Sequence, residues 1–309
     1  MKSFFRGDLR YKIRVLIIFL FTAAIFTAFI SDSLDAMGWP SENAVLVRNF
    51  GANDNGRPVL GMYFSGGTDV IAVEGGEVIF TRAKDDPASR LPSPLGAWTA
   101  IDHEDGLISI YSRYSENETP GNVPSQYNTR FDKQQPIAVS GSSGWSVKDG
   151  FYFMLFDRRE RRWINPAMII TPVQETRAPQ IAAVELRNAQ GIAMPSRNLN
   201  QGRYTVVVNA AGGMPNTTPP GSLPFAPQRI VCSVNGAEVG LINFEAVSAR
   251  DGVMMVNRNG LVPAKQIYAN YPAFEVADIF LTRGQATLEV IVQDISGASR
   301  NYVTRLTVN

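Results

Sequence analysis

Imidazole, thiolate and clustered carboxylates carry much of protein chemistry, and this sequence is short of the first two. It holds one histidine, His103, and one cysteine, Cys232, in 309 residues. Zinc sites built on two or three histidines are thereby excluded, as are thiolate metal clusters and internal disulfides. Cys232 lies in the apolar run RIVCSV and reads as a small buried hydrophobe rather than a reactive thiol. His103 stands between Asp102, Glu104 and Asp105, with Asp69 upstream. These carboxylates offer oxygens to a hard cation, but their spacing matches no EF-hand loop. No Gly-x-Ser-x-Gly elbow is present, and nothing joins His103 to Cys232 as a dyad. His103 reads as a structural histidine near a strand end, bonded to a local carboxylate or backbone group.

The stretch that would have to position any site is GSSGWSVKDGFYFMLFDRRERRWINP, Gly141 to Pro166. FYFMLF is too short for an independent helix, and its aromatic content favours a buried strand. Tyr152 and Met154 alternate onto one face of that strand, where a metalloenzyme would carry two ligands, and neither is a usual zinc ligand. Arg158 to Arg162 reads as a solvated hairpin turn ahead of a binding patch for an anionic polymer.

The chain is long enough for roughly two domains. Hydrophobic residues make up 45% and charged ones 18%, with a net charge of +1. Lys2, Arg6, Arg10, Lys12 and Arg14 precede an apolar run, which leaves the rest mildly acidic. No basic stripe with interleaved aromatics follows, so nucleic acid is not expected as a partner. The run Val15 to Ile30 reads as a membrane anchor or as a secretory signal with a cleavage position after Ala36, making residues 1–36 an amino-terminal targeting segment. In both readings the charge asymmetry places the body across the membrane.

From about residue 45 to 172 short strand patterns follow one another: AVLVRNF, VLGMYF, DVIAVEGGEVIFT, WTAIDH, LISIYSRYS, QPIAVSG and FYFMLF. Sustained helical periodicity is absent, which predicts an all-β domain. Gly75-Gly76-Glu77-Val78 reads as a tight turn returning the chain into the same sheet. The polar, Pro-rich stretches 84–95 and 116–130 are loops of the kind that frame a groove.

The order of these pieces resembles the M23 family, the LytM-type zinc endopeptidases that cut peptidoglycan cross-bridges. Gly67-Thr68-Asp69-Val70-Ile71-Ala72 and Gly76-x-Val78 are similar to that family's Gly-Thr-x-Val-x-Ala and Gly-x-Val. Ile101 to Gly106 and Ile110 to Tyr114 are similar to its Ile-x-His-x-x-Gly and Tyr-x-His-Leu. Gln135, Ile137, Gly141 and Gly144 fall where it has Gly-Gln-x-Ile and Gly-x-x-Gly, and Asn165-Pro166 matches its closing Asn-Pro. The resemblance implies zinc held by a His-x-x-x-Asp pair and the second histidine of His-x-His. The remaining two histidines would then serve water activation or the developing oxyanion. Here the His-x-His positions are Tyr152 and Met154, and the Tyr-x-His position is Arg113. The His-x-x-x-Asp positions are Val59 and Tyr63, or Arg57 and Gly61 when counted without a gap. The resemblance therefore implies a degenerate member with its zinc ligands lost and no cofactor. Apolar and amphipathic side chains at these positions avoid leaving polar groups without a metal. A cleft around Tyr63, Tyr111, Arg113, Trp145 and Tyr152 would hold a peptide, a glycan stem or a partner loop; alternatively it is plugged and serves as core.

Thr171-Pro172-Val173 to Ala178-Pro179 is a Pro-bounded boundary. From 175 to 309 seven or eight short strands suggest an immunoglobulin-like β-sandwich. Within it, residues 211–227 form a Pro-rich insertion, either an interaction loop or tolerated surface length. The expectation is a catalytically inactive M23/LytM-like protein of the bacterial cell envelope, anchored in the cytoplasmic membrane with its body in the periplasm. It would bind a peptidoglycan hydrolase, peptidoglycan or another envelope assembly, with Arg113 pairing either a peptide carboxylate or, at the rim, Asp102 or Asp105. The alternatives are an active peptidoglycan endopeptidase with atypical ligands and a purely structural scaffold.

Overall fold

The computed structural model describes residues 36–67, 69–82, 91–116, 129–145, 149–170 and 176–309. The apolar run Val15 to Ile30, the polar tips of both long loops and the boundary at Thr171-Pro172 lie outside them. Among the described residues no helix is long and apolar enough to cross a membrane.

Among the described residues, twelve strands occupy the first region. They are β1 Val45–Arg48, β2 Asn53–Asp54, β3 Arg57–Pro58, β4 Gly61–Ser65, β5 Asp69–Ile71, β6 Gly76–Arg82, β7 Ala97–Asp102, β8 Leu107–Tyr114, β9 Arg130–Phe131, β10 Pro136–Val139, β11 Gly150–Asp157 and β12 Arg162–Ile164. The second region adds β13 Gln180–Arg187, β14 Ala193–Met194, β15 Gly202–Ala211, β16 Arg229–Val234, β17 Ala237–Arg250, β18 Val253–Arg258 and β19 Leu261–Pro263. The short helix α1, Ala264–Tyr268, then leads to β20 Ala273–Leu281, β21 Gly284–Gln293 and β22 Ser299–Val308.

β11 is apolar from Phe151 to Phe156 because both of its faces are covered. Phe151, Phe153 and Leu155 enter a core with Met62, Phe64, Ile101 and Tyr111. Tyr152 and Met154 turn the other way and are buried with Ala52 and Val59. The period of two along a strand thus separates two packed environments with a single residue step. β11 pairs antiparallel with β8, β4 and β12. β12 pairs in turn with β17, Trp163 lying opposite Val247, so one sheet runs through both regions. Met37 to Asn309 forms one compact unit.

Among the described residues β5 pairs only with β10, in a small sheet of its own. Gly75-Gly76 therefore carries the chain from one sheet into another and is not the same-sheet turn expected from its composition. Gly76 is required there because a Cβ would lie 2.4 Å from the Asp102 carbonyl oxygen.

In the second region β14, β13, β15 and β20 form one sheet, and β17, β16, β21 and β22 are the end of the large sheet. Val206, Val208 and Phe274 from the first meet Ile230, Cys232, Val290 and Leu306 from the second in one core. The insertion 211–227 is anchored rather than loose. Phe225 is buried in the core of the first region, and the Asn49 side chain holds the Ala226 backbone by two hydrogen bonds of 2.8 and 2.9 Å.

Candidate functional site

Tyr63 stands opposite Tyr152 in the β4–β11 ladder, and the pairing fixes how the two rings meet. They stack with centroids 4.0 Å apart and planes 14° from parallel. The Tyr152 hydroxyl accepts a 2.9 Å hydrogen bond from the Leu60 N–H. Burial pushes the Tyr152 phenol far above its ordinary value, so it stays neutral, an acceptor for the backbone and no phenolate ligand. Tyr63 is raised too, chiefly by burial, against the opposing influence of the nearby Arg113 charge.

Arg113 reaches this pair through a backbone irregularity. Ala97 lies opposite Tyr114 and Trp98 opposite Ser112, which leaves Arg113 as the extra residue of a bulge. Its φ is +64°, in the left-handed region that side chains other than glycine rarely adopt. Regular alternation would send Arg113 to the same face as Tyr111, into the apolar core. The bulge re-aims it across the sheet. The guanidinium carbon then lies 4.9 Å from the Tyr63 centroid and 5.4 Å from that of Tyr152. Such stacking contributes about 0.5–2 kcal/mol. Asp102 and Asp105 are engaged elsewhere, Asp102 with Arg158 at 2.5 Å and Asp105 with the Leu107 N–H. The buried Nε of Arg113 has no hydrogen-bond partner among the described residues.

The remaining expected site residues divide between the two faces. Val59 and Met154 lie in the small buried cluster with Tyr152. Tyr111 belongs to the opposite face. It is fully buried, its hydroxyl accepts from the Val73 N–H at 2.8 Å, and its ring packs on Phe153 at 5.2 Å. The sheet thus separates Tyr111 from Arg113, and it does not line the groove. Trp145 is 71% exposed. His103 is buried with both ring nitrogens engaged, Nδ1 at 2.8 Å from the Gly75 carbonyl and Nε2 at 2.9 Å from the Ser109 hydroxyl. Of the ungapped alternative positions, Arg57 is exposed, and Gly61 has no room for a side chain, since a Cβ would lie 2.0 Å from the Phe153 carbonyl oxygen.

Zinc does not fit this donor set. The three positions implied for its ligands hold Val59, Tyr63 and Met154, and the two implied catalytic histidines are replaced by Tyr152 and Arg113. No group of three or more His, Cys, Asp or Glu able to hold a metal ion occurs among the described residues. The collapsed cluster is not the whole groove, however. Above Tyr63 opens a cleft of about 490 Å³, lined among others by Arg113, Arg48, Trp145 and Asp149 on one side and by Pro219 to Ser222 on the other. The sequence carried a signal for that far wall, the Pro-rich insertion, but none for its position. Nothing local pointed to Arg48 or Asp149.

A protein-family profile that carries no description matches residues 178–309, less than half of the chain. No curated protein is similar enough to count as a relative. Among solved structures, the SpoIIQ–SpoIIIAH pore-forming complex has a chain 22% identical, covering 46% of this chain and 95% of its own at a TM-score of 0.35. The catalytic domain of a prophage-encoded M23 protein, EnpA of Enterococcus faecalis, is 18% identical over 42% of this chain and 94% of its own, at 0.33. Lysostaphin, an antimicrobial peptidase from Staphylococcus simulans, is 13% identical over 84% of this chain and 87% of its own, at 0.32. Each is a distant likeness, below the level at which a shared chemistry or partner follows.

Proposed function

We propose that the chain is a non-catalytic, M23/LytM-like protein of the bacterial cell envelope that acts by binding. In this reading residues 45–172 are the degenerate peptidase-like domain and residues 175–309 an immunoglobulin-like sandwich. Residues 1–36 hold or deliver the body across the cytoplasmic membrane. One observation carries the proposal. Tyr63, Arg113 and Tyr152 gather into a stacked cluster beside Val59 and Met154, at the positions where the motif resemblance implies the catalytic residues. A site rebuilt from packed aromatic and apolar groups keeps the shape of a groove while lacking the imidazole and carboxylate donors that zinc takes. The cleft left open above it favours a binding role over a purely structural brace. The bound species would be peptidoglycan, a hydrolase acting on it or another envelope component.

The test uses the full chain in detergent. Metal content is measured after zinc loading and dialysis, cleavage of purified peptidoglycan is assayed with and without chelator, and retention on peptidoglycan or by envelope proteins is compared with that of R113A. The expected result is no stoichiometric zinc, no cleavage, and retention weakened by the substitution. Stoichiometric zinc together with chelator-sensitive cleavage overturns the reading.

A further inference from the structure

Two groups of opposite charge face the cleft above Tyr63 without an internal ion pair. Arg48 is committed, its Nη1 lying 3.4 Å from an Asp54 carboxylate oxygen. Arg113 makes no ion pair among the described residues, and its guanidinium is held by the two tyrosines. Asp149, which also lines the cleft, has an exposed side chain and likewise makes no ion pair among the described residues. Its backbone is bound, the carbonyl accepting from the Gly66 N–H at 3.3 Å.

The four charged groups on the lining sum to zero, which disfavours a dianion such as phosphate, since it would face two carboxylates. A ligand carrying one carboxylate and one ammonium would give both groups an ion-pair partner. A planar guanidinium is suited to a carboxylate as a bidentate donor. The volume of about 490 Å³ sits towards the lower end of ligand pockets, roughly 300–1,000 Å³. That matches a small molecule or a few residues of peptide better than a folded partner. Tyr63 and the exposed Trp145 supply faces for the body of the ligand. Pro219 and Pro220 close the far side with rigid, apolar backbone that brings no competing charge.

We propose that this cleft binds a short zwitterionic ligand of the amino-acid or dipeptide class, its carboxylate on Arg113 and its ammonium towards Asp149, against a wall supplied by Pro219 to Ser222. The proposal deepens the binding reading above and rests on it for the location of the groove. It adds that the site is composite, completed by an insertion from the second region.

The experiment titrates the full chain in detergent with alanyl-alanine by calorimetry. Four comparison probes follow: the N-acetylated dipeptide, its C-terminal amide, the doubly blocked form and inorganic phosphate. Alanyl-alanine is expected to bind saturably, with blocking of either end weakening binding at least tenfold and phosphate failing to compete. D149N, at an exposed position that leaves folding intact, should abolish the preference for a free amino end and spare that for a free carboxylate. R113K, which keeps the charge but loses the fork, should do the reverse, with circular dichroism confirming the fold. Equal binding of free and doubly blocked dipeptides, competition by phosphate, no saturable binding, or probe preferences unmoved by both substitutions would overturn the proposal. The zinc and cleavage measurements on the same preparation separate the two ideas. A zinc-free, inactive protein that ignores the dipeptide sinks the ligand assignment alone.

Discussion

The Tyr152 hydroxyl is hydrogen-bonded to the Leu60 N–H at 2.9 Å while its ring is capped by Tyr63. This fixes a residue at an expected catalytic position as a structural element joining β11 to the segment before β4. Y152F should remove the hydrogen bond alone and cost about 1 kcal/mol. Y152A should also open a cavity and cost about 3–5 kcal/mol. Urea denaturation of both variants checks the ratio. Equal losses would mean that the ring contributes nothing beyond the hydroxyl.

Arg113 combines a strained backbone with a stacked side chain, and the two oppose each other under substitution. R113G relieves a left-handed φ that disfavours other residues by roughly 1–2 kcal/mol while losing stacking of similar size, for little net change. R113A loses the stacking without that relief. Melting curves should rank R113A about 1 kcal/mol below R113G, and a reversed order would argue against the bulge.

Close backbone approach makes two glycines irreplaceable along β4 and β11. A Cβ at Gly61 would lie 2.0 Å from the Phe153 carbonyl oxygen, and one at Gly150 1.9 Å from that of Phe64. Because both obstacles are ladder backbone, G61A and G150A should each cost about 1–3 kcal/mol or more. Purification yield and thermal midpoint report the effect, and a wild-type midpoint for either variant contradicts the register.

Alkaline pH should destabilise the fold through buried tyrosines. Burial raises Tyr114 and Tyr271 to about 12 each, against about 10 for an exposed phenol. The folded state therefore holds these protons more tightly than the unfolded chain. Their contribution is whole below about pH 10 and is lost as pH climbs towards 12. Tyrosinate absorbance followed alongside circular dichroism should show ionisation of this class lagging behind the exposed tyrosines and coinciding with unfolding. Their ionisation at pH 10 in a folded protein would refute the assignment.

Cys232 is fully buried, and burial pushes its thiol up to about 12. Maleimide should leave it unmodified in native buffer and label it once denaturant is added. Native labelling at the rate of a free thiol would place Cys232 outside the core.

The sequence alone determined that the described regions are built almost entirely of strands and that β11 is buried. Alternation and residue type are local properties of an extended backbone, so the order of side chains in FYFMLF is enough to part Tyr152 and Met154 from Phe151 and Phe153. It also excluded a zinc site built on two or three histidines of this chain, because one imidazole cannot supply two. Tertiary structure decided which face Arg113 and Tyr111 occupy, since the parity of alternation between them is broken by a single extra residue whose effect depends on the register of β7. It also decided what borders the groove. Pro219 to Ser222 stand far from Arg113 along the chain and reach the cleft because Phe225 and Ala226 are anchored to the first region, and long-range packing of that kind leaves no periodic trace in the residues it brings together.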